Sequence, residues 1–528
     1  MIKKLLFGFL LLPVIGIASE IDISKKIALS VQSNLFEEKT LLVDSLLIKS
    51  FDNNLLTSFY RQNQYKTIWL KSNTIRQTLI NSLITCEEDG LDPKEYEIKK
   101  IDKLEKKVSQ LSDNELINFD ILLTLKLQKY ISQLTNGRLN PRELYKNWDL
   151  NPINLDINAQ LKSFDNQDSL ALKIEKLKPN HIEYKKLKKA LQLIKTYPDV
   201  TLDCIDFKKK INLNESSPSL ISIKKALIYW KDLDSIATLN TKYNHETFVA
   251  VKKFQSRNGL NADGVIGKST IDALNYSKKQ RKEQIIANLE RWKWFPRNLG
   301  NHYIMVNIPE FNLYLVKDND TIDTRRVVVG KLERKSVVLT STFSNIIINP
   351  TWTVPPTILE EDVLPDATKK RSYFTKSSIT IYDFNNKIIS PYEWKKEKYK
   401  NYRYVQKPGH NNSLGEVKFN FPNRHSVYLH DTNHRDLFTR SFRSLSSGCI
   451  RIENPLPLAK YFLNDDVNWS LDKINEVIKT RVTTSIDLKE KINIHQFYWT
   501  ASLDKNNNFR FIPDVYNLDD ELSDKLSN

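Results

Sequence analysis

The spacing of apolar residues changes near residue 300, and this change limits what the chain can fold into. Before that point, leucine and isoleucine recur every three or four residues, as in Thr74 to Cys86 and Leu116 to Leu134. After it, short alternating runs rich in Val, Ile and Phe are bounded by turn residues. The first pattern is typical of helices and the second of β-strands. The sequence therefore predicts a multidomain α+β protein.

The 528 residues exceed what one hydrophobic core usually organises, so several domains are expected. We predict a helical scaffold domain at 19–215, a small three-helix unit at 216–278, a β-rich domain at 300–480 and a C-terminal extension at 481–528. An insert at about 356–410 interrupts the strand pattern. The Lys-rich segment Ser277 to Glu283 is interpreted as a link before the strands.

Individual elements are predicted from the same periodicities. Helices of the small unit are expected over Ile223 to Leu233, His245 to Asn258 and Ser269 to Leu274. Strands are expected over Tyr303 to Ile308, Phe311 to Val316, Arg325 to Val329, Phe343 to Ile348 and His425 to Leu429.

The first residues have the pattern of a secretory signal peptide, predicted over 1–18. Two lysines precede the apolar run Leu5 to Ile17, and Gly16 and Ala18 are the small residues expected before cleavage after Ala18. The mature protein is therefore expected to work outside the cytoplasm. The run is short for a membrane-spanning helix, which favours cleavage, and an uncleaved membrane anchor is the alternative.

The chain is basic, with 80 Lys and Arg against 63 Asp and Glu and a formal charge of +17. The lysines are spread along the chain, and no Arg-rich arm or basic stripe stands out. Nucleic-acid binding is therefore not expected.

Three cysteines occur, Cys86, Cys204 and Cys449. An exported chain with an odd number leaves one thiol unpaired or pairs it between chains. A bridge between Cys86 and Cys204 is one arrangement, and it would leave Cys449 as a thiol that needs protection or a use.

The residues around Cys449 suggest a nucleophilic cysteine with a histidine base. Cys449 follows Ser446, Ser447 and Gly448, and it lies nineteen positions after His430 at the end of a predicted strand. An imidazole that takes the thiol proton produces a nucleophile, and the Cys449 N–H beside a glycine can hold an oxyanion.

Two further residues extend this candidate site. Arg451 offers a positive charge for an anion, and Tyr428 should face the same side as His430. Asn454 and Pro455 predict the cap and first turn of a following helix. Spacing alone does not bring His430 to Cys449, so a buried structural cysteine and a structural histidine remain the alternatives.

Two stretches resemble known families. The stretch "FVAVKKFQSRNGLNADGVIGKSTIDALN" resembles the small three-helix peptidoglycan-binding domain. Ser446-x-Gly448-Cys449-Ile450-Arg451, with His430 upstream, resembles the signature of L,D-transpeptidases with a YkuD-type catalytic domain. "NLERWKWFP", "NPTWTVPPTILEEDVLP", "LGEVKFNFPN" and "FYWTASLDKN" extend the likeness to the large, YcbB-like L,D-transpeptidases of Gram-negative bacteria.

The resemblance implies a periplasmic enzyme of peptidoglycan biosynthesis. Cys449 would attack a donor tetrapeptide stem, releasing D-Ala and leaving a thioester, and a second stem would resolve it into a 3→3 cross-link. His430 would be the general base, and the Gly448 and Cys449 backbone would line the oxyanion site. The resemblance also implies no cofactor, peptidoglycan as the partner, and acylation of Cys449 by carbapenems.

Other residues receive roles from the same resemblance. Ser446, Ser447 and Arg451 would shape the loop and bind substrate, and Tyr428 would line the pocket or lie in the core. The insert would cap the active site, with Trp394, Tyr373 and Phe374 either contacting substrate or holding the insert together.

Several alternatives stay open. The same thioester would serve an L,D-carboxypeptidase or a lipoprotein-anchoring transpeptidase. His425, His430 and His434 suggest a metallopeptidase, although the residues between the last two are Asp-Thr-Asn. A non-catalytic wall-binding protein is the remaining class. Asp431 stands where many shorter relatives have glycine, which leaves open what orients the imidazole.

Overall fold

The computed structural model describes residues 36–161, 167–463 and 468–527. The signal peptide predicted for residues 1–18 lies outside this part of the chain. Within it, no helix combines the length and apolarity needed to cross a membrane.

The α-helices run over Ser45–Ser50 (α1), Asn54–Gln62 (α2), Asn73–Ile84 (α3), Ile98–Glu105 (α4), Asp113–Asn136 (α5), Pro141–Leu144 (α6), Ile157–Gln160 (α7), Gln167–Leu177 (α8), Ile182–Lys195 (α9), Ser219–Tyr229 (α10), His245–Arg257 (α11), Lys268–Leu274 (α12), Lys278–Lys293 (α13), Pro356–Ile358 (α14), Leu364–Lys369 (α15), Tyr373–Lys376 (α16), Leu456–Phe462 (α17), Leu471–Thr480 (α18) and Asp519–Ser527 (α19). Short 3-10 turns cover Trp69–Lys71, Thr85–Asp89, Pro93–Tyr96, Val108–Gln110, Leu332–Arg334, Lys396–Asn401 and Arg435–Thr439, and a π-turn covers Leu359–Val363.

The strands run over Trp148–Asp149 (β1), His302–Asn307 (β2), Asn312–Lys317 (β3), Asp320–Gly330 (β4), Val338–Thr342 (β5), Asn345–Ile348 (β6), Trp352–Thr353 (β7), Ile379–Tyr382 (β8), Ile388–Ile389 (β9), Arg403–Gln406 (β10), Val417–Asn420 (β11), Leu429–His430 (β12), Ser444–Ser446 (β13), Ile450–Ile452 (β14), Thr484–Asp487 (β15), Asn493–Phe497 (β16), Ala501–Leu503 (β17) and Phe509–Phe511 (β18).

The chain divides into two compact units, and the first is helical. Its described parts are residues 36–86, 92–130, 156–161 and 167–174. Asp120 is fully buried there and accepts hydrogen bonds from Tyr60 Oη at 2.6 Å and from the Trp69 N–H at 2.7 Å. Buried polar groups need such partners, so the carboxylate fixes the segments around it.

The second unit contains residues 87–91, 131–155 and the described residues from 175 onward. Its first part includes α10, α11 and α12, which match the helices predicted for the small unit. The turn before α12 requires glycine, because a Cβ at Gly264 would lie 2.2 Å from the Phe248 ring, and φ there is +76°. Gln255 holds the turn by accepting the Gly264 N–H at 2.8 Å.

The second unit also contains the large sheet that carries the candidate site. Within the described residues it has twelve strands, ordered β1-β5-β16-β2-β3-β4-β14-β12-β11-β6-β15, with β13 paired to β4. Strands β12 and β14 are parallel neighbours at its centre. A helical N-terminal part and a β-rich C-terminal part confirm the predicted fold class.

The predicted link Ser277 to Glu283 is wrong, because most of it is the first turns of helix α13. Ser277 caps that helix by accepting the Gln280 N–H at 3.2 Å, and the Gln280 side chain accepts the Ser277 N–H in return. This is a capping box. Further along, Trp292 stacks on Trp499 with ring centroids 4.1 Å apart, so α13 packs against the β-rich domain.

The large sheet continues beyond residue 480, the predicted end of the β-rich domain. Strand β15 pairs with β6, and β16 lies between β5 and β2. At the other end of the chain, β1 belongs to this sheet although it was assigned to the scaffold. Short strands far apart in sequence pair only through tertiary contacts, which hydrophobic period does not reveal.

The helix predicted after the cysteine loop begins later than expected. Leu456 is its first residue and Pro455 its cap, without a side-chain cap hydrogen bond. Asn454 has φ of +44°, a left-handed conformation that asparagine tolerates, so it forms a turn instead of the cap.

The insert folds around a small core of its own. Strands β7, β10, β8 and β9 form a four-stranded sheet. Trp394 and Phe374 are buried in its core, and Trp394 Nε1 donates to Tyr404 Oη at 2.7 Å. Of the two roles considered for Trp394 and Phe374, the structure supports holding the insert together. Tyr373 instead borders a cleft described below.

We expect Asn288→Ala to destabilise the β-rich domain. Asn288 is fully buried on α13; its amide donates to Thr500 Oγ1 at 2.8 Å and accepts the Thr500 N–H at 2.9 Å. Loss of the Asn288 amide should lower the free energy of unfolding by about 2–3 kcal/mol, because the buried Thr500 hydroxyl and N–H lose their hydrogen-bond partner. Denaturant unfolding measures this. Lys279→Ala, on the exposed side of the same helix, is the control. Equal stability of the two variants would contradict the role of Asn288.

Candidate active site

Strand pairing places the candidate residues on one face of the sheet. In the parallel pair of β12 and β14, His430 lies beside Arg451, and in the antiparallel pair of β11 and β12, Lys418 lies beside His430. Cys449 directly precedes β14 and Tyr428 directly precedes β12, so alternation continued by one residue puts Cys449 on the side of Arg451 and Tyr428 on the side of His430. The pairing therefore supplies the proximity that sequence spacing did not.

This face borders a cleft of about 660 Å³. The sheet side of the cleft contributes Tyr428, His430, Ser446, Ser447, Cys449 and Arg451. The insert contributes the opposite wall, including Trp352, Ile358, Val363, Tyr373 and Gln406. The cleft is thus formed between the cysteine loop and the insert.

The strand that ends at His430 is shorter than predicted. It covers only Leu429–His430, whereas a strand was expected from His425. The Asn423 side chain explains the difference, because its Oδ1 accepts the N–H groups of His425 and Val427, each at 3.0 Å. These bonds hold the backbone in a turn before the strand begins.

A backbone carbonyl orients His430. The imidazole is buried, and its Nδ1 contacts the main-chain oxygen of Asp431. A carbonyl only accepts, so Nδ1 carries the proton and Nε2 is the basic nitrogen. The Asp431 carboxylate points elsewhere, accepting from the Glu416 N–H at 2.9 Å and from Arg435 at 2.7 Å. Asp431 therefore acts on the imidazole through its backbone.

The cysteine loop is held by hydrogen bonds to its own backbone. Ser446 Oγ donates to the Cys449 carbonyl at 2.6 Å and accepts the Gly448 N–H at 3.2 Å. Gly448 has φ of +116°, a conformation open to glycine. The Gly448 N–H, predicted to line the oxyanion site, is thus engaged by Ser446. The Cys449 N–H makes no hydrogen bond to another described residue.

Ser336 supports this loop and was not found from the sequence. Its hydroxyl donates to the Gly448 carbonyl at 2.7 Å and accepts the Gly330 N–H at 2.9 Å. Its own N–H donates to Tyr516 Oη at 3.0 Å. Ser336 lies in a turn before β5 without a motif, so no local signal marked it. Its contacts arise only when distant segments meet.

Arg334 joins the cysteine loop to the insert. Its guanidinium donates to Ser447 Oγ at 2.8 Å and forms ion pairs with Glu361 and Asp362 on the π-turn of the insert. The hydrogen bond to Asp362, followed by that to Glu361, raises the pKa of Arg334. The guanidinium thus fixes one edge of the insert beside Cys449.

The electrostatics favour a neutral thiol and a neutral imidazole at rest. Burial raises the pKa of Cys449, while Lys418 and Arg451 act in the opposite direction. Burial, followed by the charge of Arg451, lowers the pKa of His430 to about 3. The imidazole is therefore an unprotonated acceptor at neutral pH, ready for the thiol proton.

The neighbouring histidines His425 and His434 also border the cleft. His434 is exposed, and His425 lies 3.9 Å from Asp149. Among the residues that the structure describes, no group of three or more His, Cys, Asp or Glu side chains is arranged to hold a metal ion. The arrangement gives no support to the metallopeptidase alternative.

The remaining cysteines differ in burial. Cys86 is buried and Cys204 exposed, and no disulfide joins them in the described chain.

The fold and the cleft define a β-sheet domain with a histidine on β12 and a cysteine directly before the parallel neighbour β14, and a folded insert forms the other side of the cleft. Residues 301–482 match the family model of the L,D-transpeptidase catalytic domain, YkuD. Residues 216–274 match the "Putative peptidoglycan binding domain", and residues 54–191 match a scaffold domain. The chain thus contains an L,D-transpeptidase catalytic domain and a peptidoglycan-binding domain, as the resemblance implied.

Individual proteins give further comparisons. The chain is 34% identical over 244 residues to a Haemophilus influenzae protein named "Putative L,D-transpeptidase", and the aligned part spans 46% of this chain and about half, 49%, of that protein. An L,D-transpeptidase structure from Xylanimonas cellulosilytica is 14% identical, with 55% of this chain and 99% of that chain covered and a TM-score of 0.19. One from Stackebrandtia nassauensis is 14% identical, with 54% and 94% covered and a TM-score of 0.21. Scores this low support no conclusion about this chain.

We expect alkylation of Cys449 by iodoacetamide to accelerate with pH well above neutrality. Because the Cys449 thiol has a raised pKa in the folded protein, little thiolate exists at pH 7. The alkylation rate should therefore still be rising at pH 9.0, the ordinary pKa of a cysteine thiol. Peptide mass spectrometry of quenched samples separates labelling of Cys449 from that of Cys204. A rate already constant below pH 7 would indicate a preformed thiolate–imidazolium pair and contradict this electrostatic description.

We expect Arg334→Ala to loosen the insert. Hydrogen exchange of residues 356–376 should become about three- to tenfold faster, a modest factor because Glu361 and Asp362 are partly exposed. Arg334→Lys should have an intermediate effect, since it keeps the charge without the bidentate geometry. Arg440→Ala, which loses only an exposed 3.9 Å ion pair, is the control. Unchanged exchange in Arg334→Ala would show that other contacts fix the insert.

Proposed function

We propose that this protein is a cell-envelope L,D-transpeptidase that forms 3→3 cross-links in peptidoglycan. Cys449 is the nucleophile and His430 the general base. The observation that supports this most directly is the parallel pairing of β12 and β14, which opens both side chains onto one cleft. The match of this same domain to the L,D-transpeptidase catalytic family supplies the reaction class.

In the first half of the reaction, the thiol proton moves to His430 Nε2 as Sγ attacks the carbonyl carbon of the third stem residue. The oxyanion accepts a hydrogen bond from the Cys449 N–H. The C–N bond then breaks, the D-Ala nitrogen takes the proton from His430, and a thioester remains. Because thiol and imidazole are both neutral at rest, proton transfer accompanies the attack.

In the second half, the side-chain amine of the third residue of an acceptor stem attacks the thioester carbonyl. His430 takes a proton from this amine, and the thiolate leaves and is reprotonated. The Asp431 carbonyl holds the imidazole in the same orientation for both halves. The cleft between cysteine loop and insert is the space in which both stems must meet.

The peptidoglycan-binding domain supports an envelope location for the protein, consistent with export to the periplasm. It would hold the enzyme on its polymeric substrate, which raises the local concentration of stems. Glycan strands with their stem peptides are then both partner and substrate.

Two alternatives use the same thioester. Water as acceptor would make the enzyme an L,D-carboxypeptidase, and a lipoprotein lysine would make it an anchoring enzyme. The strained lactam of a carbapenem would acylate the same cysteine. The carboxypeptidase and the anchoring enzyme differ from the transpeptidase in the acceptor, whereas the carbapenem differs from a stem peptide in the carbonyl that Cys449 attacks.

Product analysis with a disaccharide-tetrapeptide tests the proposal. Wild type should release D-Ala and form 3→3 dimers. Cys449→Ala should form none, and His430→Gln should be slower by about 10²–10⁴-fold because general-base catalysis is lost. Thr439→Ala, an exposed position outside the cleft, controls for handling.

The products separate the alternatives. Tripeptide without dimers would indicate the carboxypeptidase, and turnover only with an added lysine peptide would indicate the anchoring enzyme. Normal turnover by Cys449→Ala would refute the cysteine mechanism. Absence of any turnover by folded wild type on all three acceptors would favour a wall-binding protein.

A further inference from the structure

Two cations flank His430 in a single cross-strand row. Lys418 on β11 and Arg451 on β14 are the two neighbours with which His430 pairs. Lys418 Nζ lies 3.9 Å from the centroid of the Tyr428 ring, and Tyr428 borders the cleft. Lys418 was not recognised from the sequence, because nothing in "LGEVKFNFPN" shows which side of the sheet it faces.

These two charges lack an anionic partner within the described chain. Neither Lys418 nor Arg451 forms an ion pair or side-chain hydrogen bond with another described residue, and Arg451 Nε is buried without a hydrogen-bond partner. Burial lowers the pKa of both side chains, and only the negative charge of an ionised Cys449 would oppose this effect.

The acidic side chains near the cleft are held by other cations. Asp362 pairs with Arg334, and Asp431 pairs with Arg435. A partly buried charge without an anionic partner is unfavourable, and two such charges of the same sign on either side of His430 are more so. The arrangement is therefore suited to an anion that arrives with the substrate.

We infer that Lys418 and Arg451 form a subsite for the terminal carboxylate of the donor stem. The inference rests on the proposed function, because it takes the leaving group to be the last residue of the stem. Only the amide nitrogen and one Cα separate the attacked carbonyl carbon from that carboxylate, a span of about 3.5 Å. A carbonyl held at Cys449 thus brings the carboxylate to the cations beside it.

This subsite would determine which stems serve as donors. A stem whose scissile bond is its last peptide bond has its carboxylate at this position. A stem with one more residue, or with an amidated terminus, presents a neutral group there and leaves both cations unpaired. Selection of tetrapeptide stems follows from charge, with no need for a steric block.

Two donors that differ only at the terminus test the subsite. Acyl-enzyme formation is followed by intact-protein mass with a disaccharide-tetrapeptide and with its C-terminal carboxamide. The donor with a free carboxylate should acylate the wild type about tenfold or more faster than the carboxamide does, because the carboxamide loses a charge-assisted hydrogen bond. Lys418→Met and Arg451→Met should each reduce this preference, and Lys418→Arg should retain it. Lys317→Met, exposed at the end of β3, is the control.

The outcomes separate the possible failures. Equal acylation of wild type by both donors would overturn the subsite and leave the proposed function intact. Lys418→Met could instead slow acylation by both donors and alkylation by iodoacetamide to the same extent. The lysine would then act on the Cys449 thiol and not on the donor carboxylate, which would also overturn the subsite. No acylation of folded wild type by either donor would overturn the proposed function itself. The comparison of the two donors on wild-type protein tests the subsite even if a variant fails to fold.

Discussion

The parallel pairing of Leu429–His430 with Ile450–Ile452 is the constraint on which the candidate site depends. It converts nineteen residues of sequence separation into neighbouring positions on one face of a sheet. A shift of one residue in this register would turn His430 or Cys449 to the opposite face. Leu429 and Ile450 are buried beneath the pair, so the hydrophobic core opposes such a shift. The register of this strand pair thus determines both which side chains enter the core and which side chains face the cleft.

Around this pair, the structure fixes what a reactive cysteine needs. The Asp431 carbonyl sets the imidazole tautomer, Ser336 and Ser446 hold the loop, and Arg334 ties that loop to the insert. These contacts hold the groups before substrate arrives, which lowers the cost of positioning them during reaction. The raised pKa of Cys449 and the lowered pKa of His430 favour a neutral thiol beside a neutral imidazole at rest.

The sequence predicted what local pattern and motif determine. Helical and strand periods predicted the succession of a helical part and a β-rich part, and the residues around Cys449 pointed to the family of the catalytic domain. Contacts between distant segments were missed, including the place of β16 inside the sheet and the roles of Lys418 and Ser336. The lysines of Ser277 to Glu283 suggested a link, because the charged side chains of a capped helix resemble a loop in composition. Asn423 and Asn454 shortened two predicted elements through turns that propensity does not specify.

Locating the covalent intermediate tests the role of Cys449 most directly. Wild-type protein is mixed with a tetrapeptide stem labelled at its third residue, quenched in acid within one turnover and digested for peptide mass spectrometry. A hydroxylamine-sensitive stem adduct on the peptide containing Cys449, absent from Cys449→Ala, is the predicted result. An adduct on another residue, or D-Ala release without any adduct on Cys449, would contradict the account.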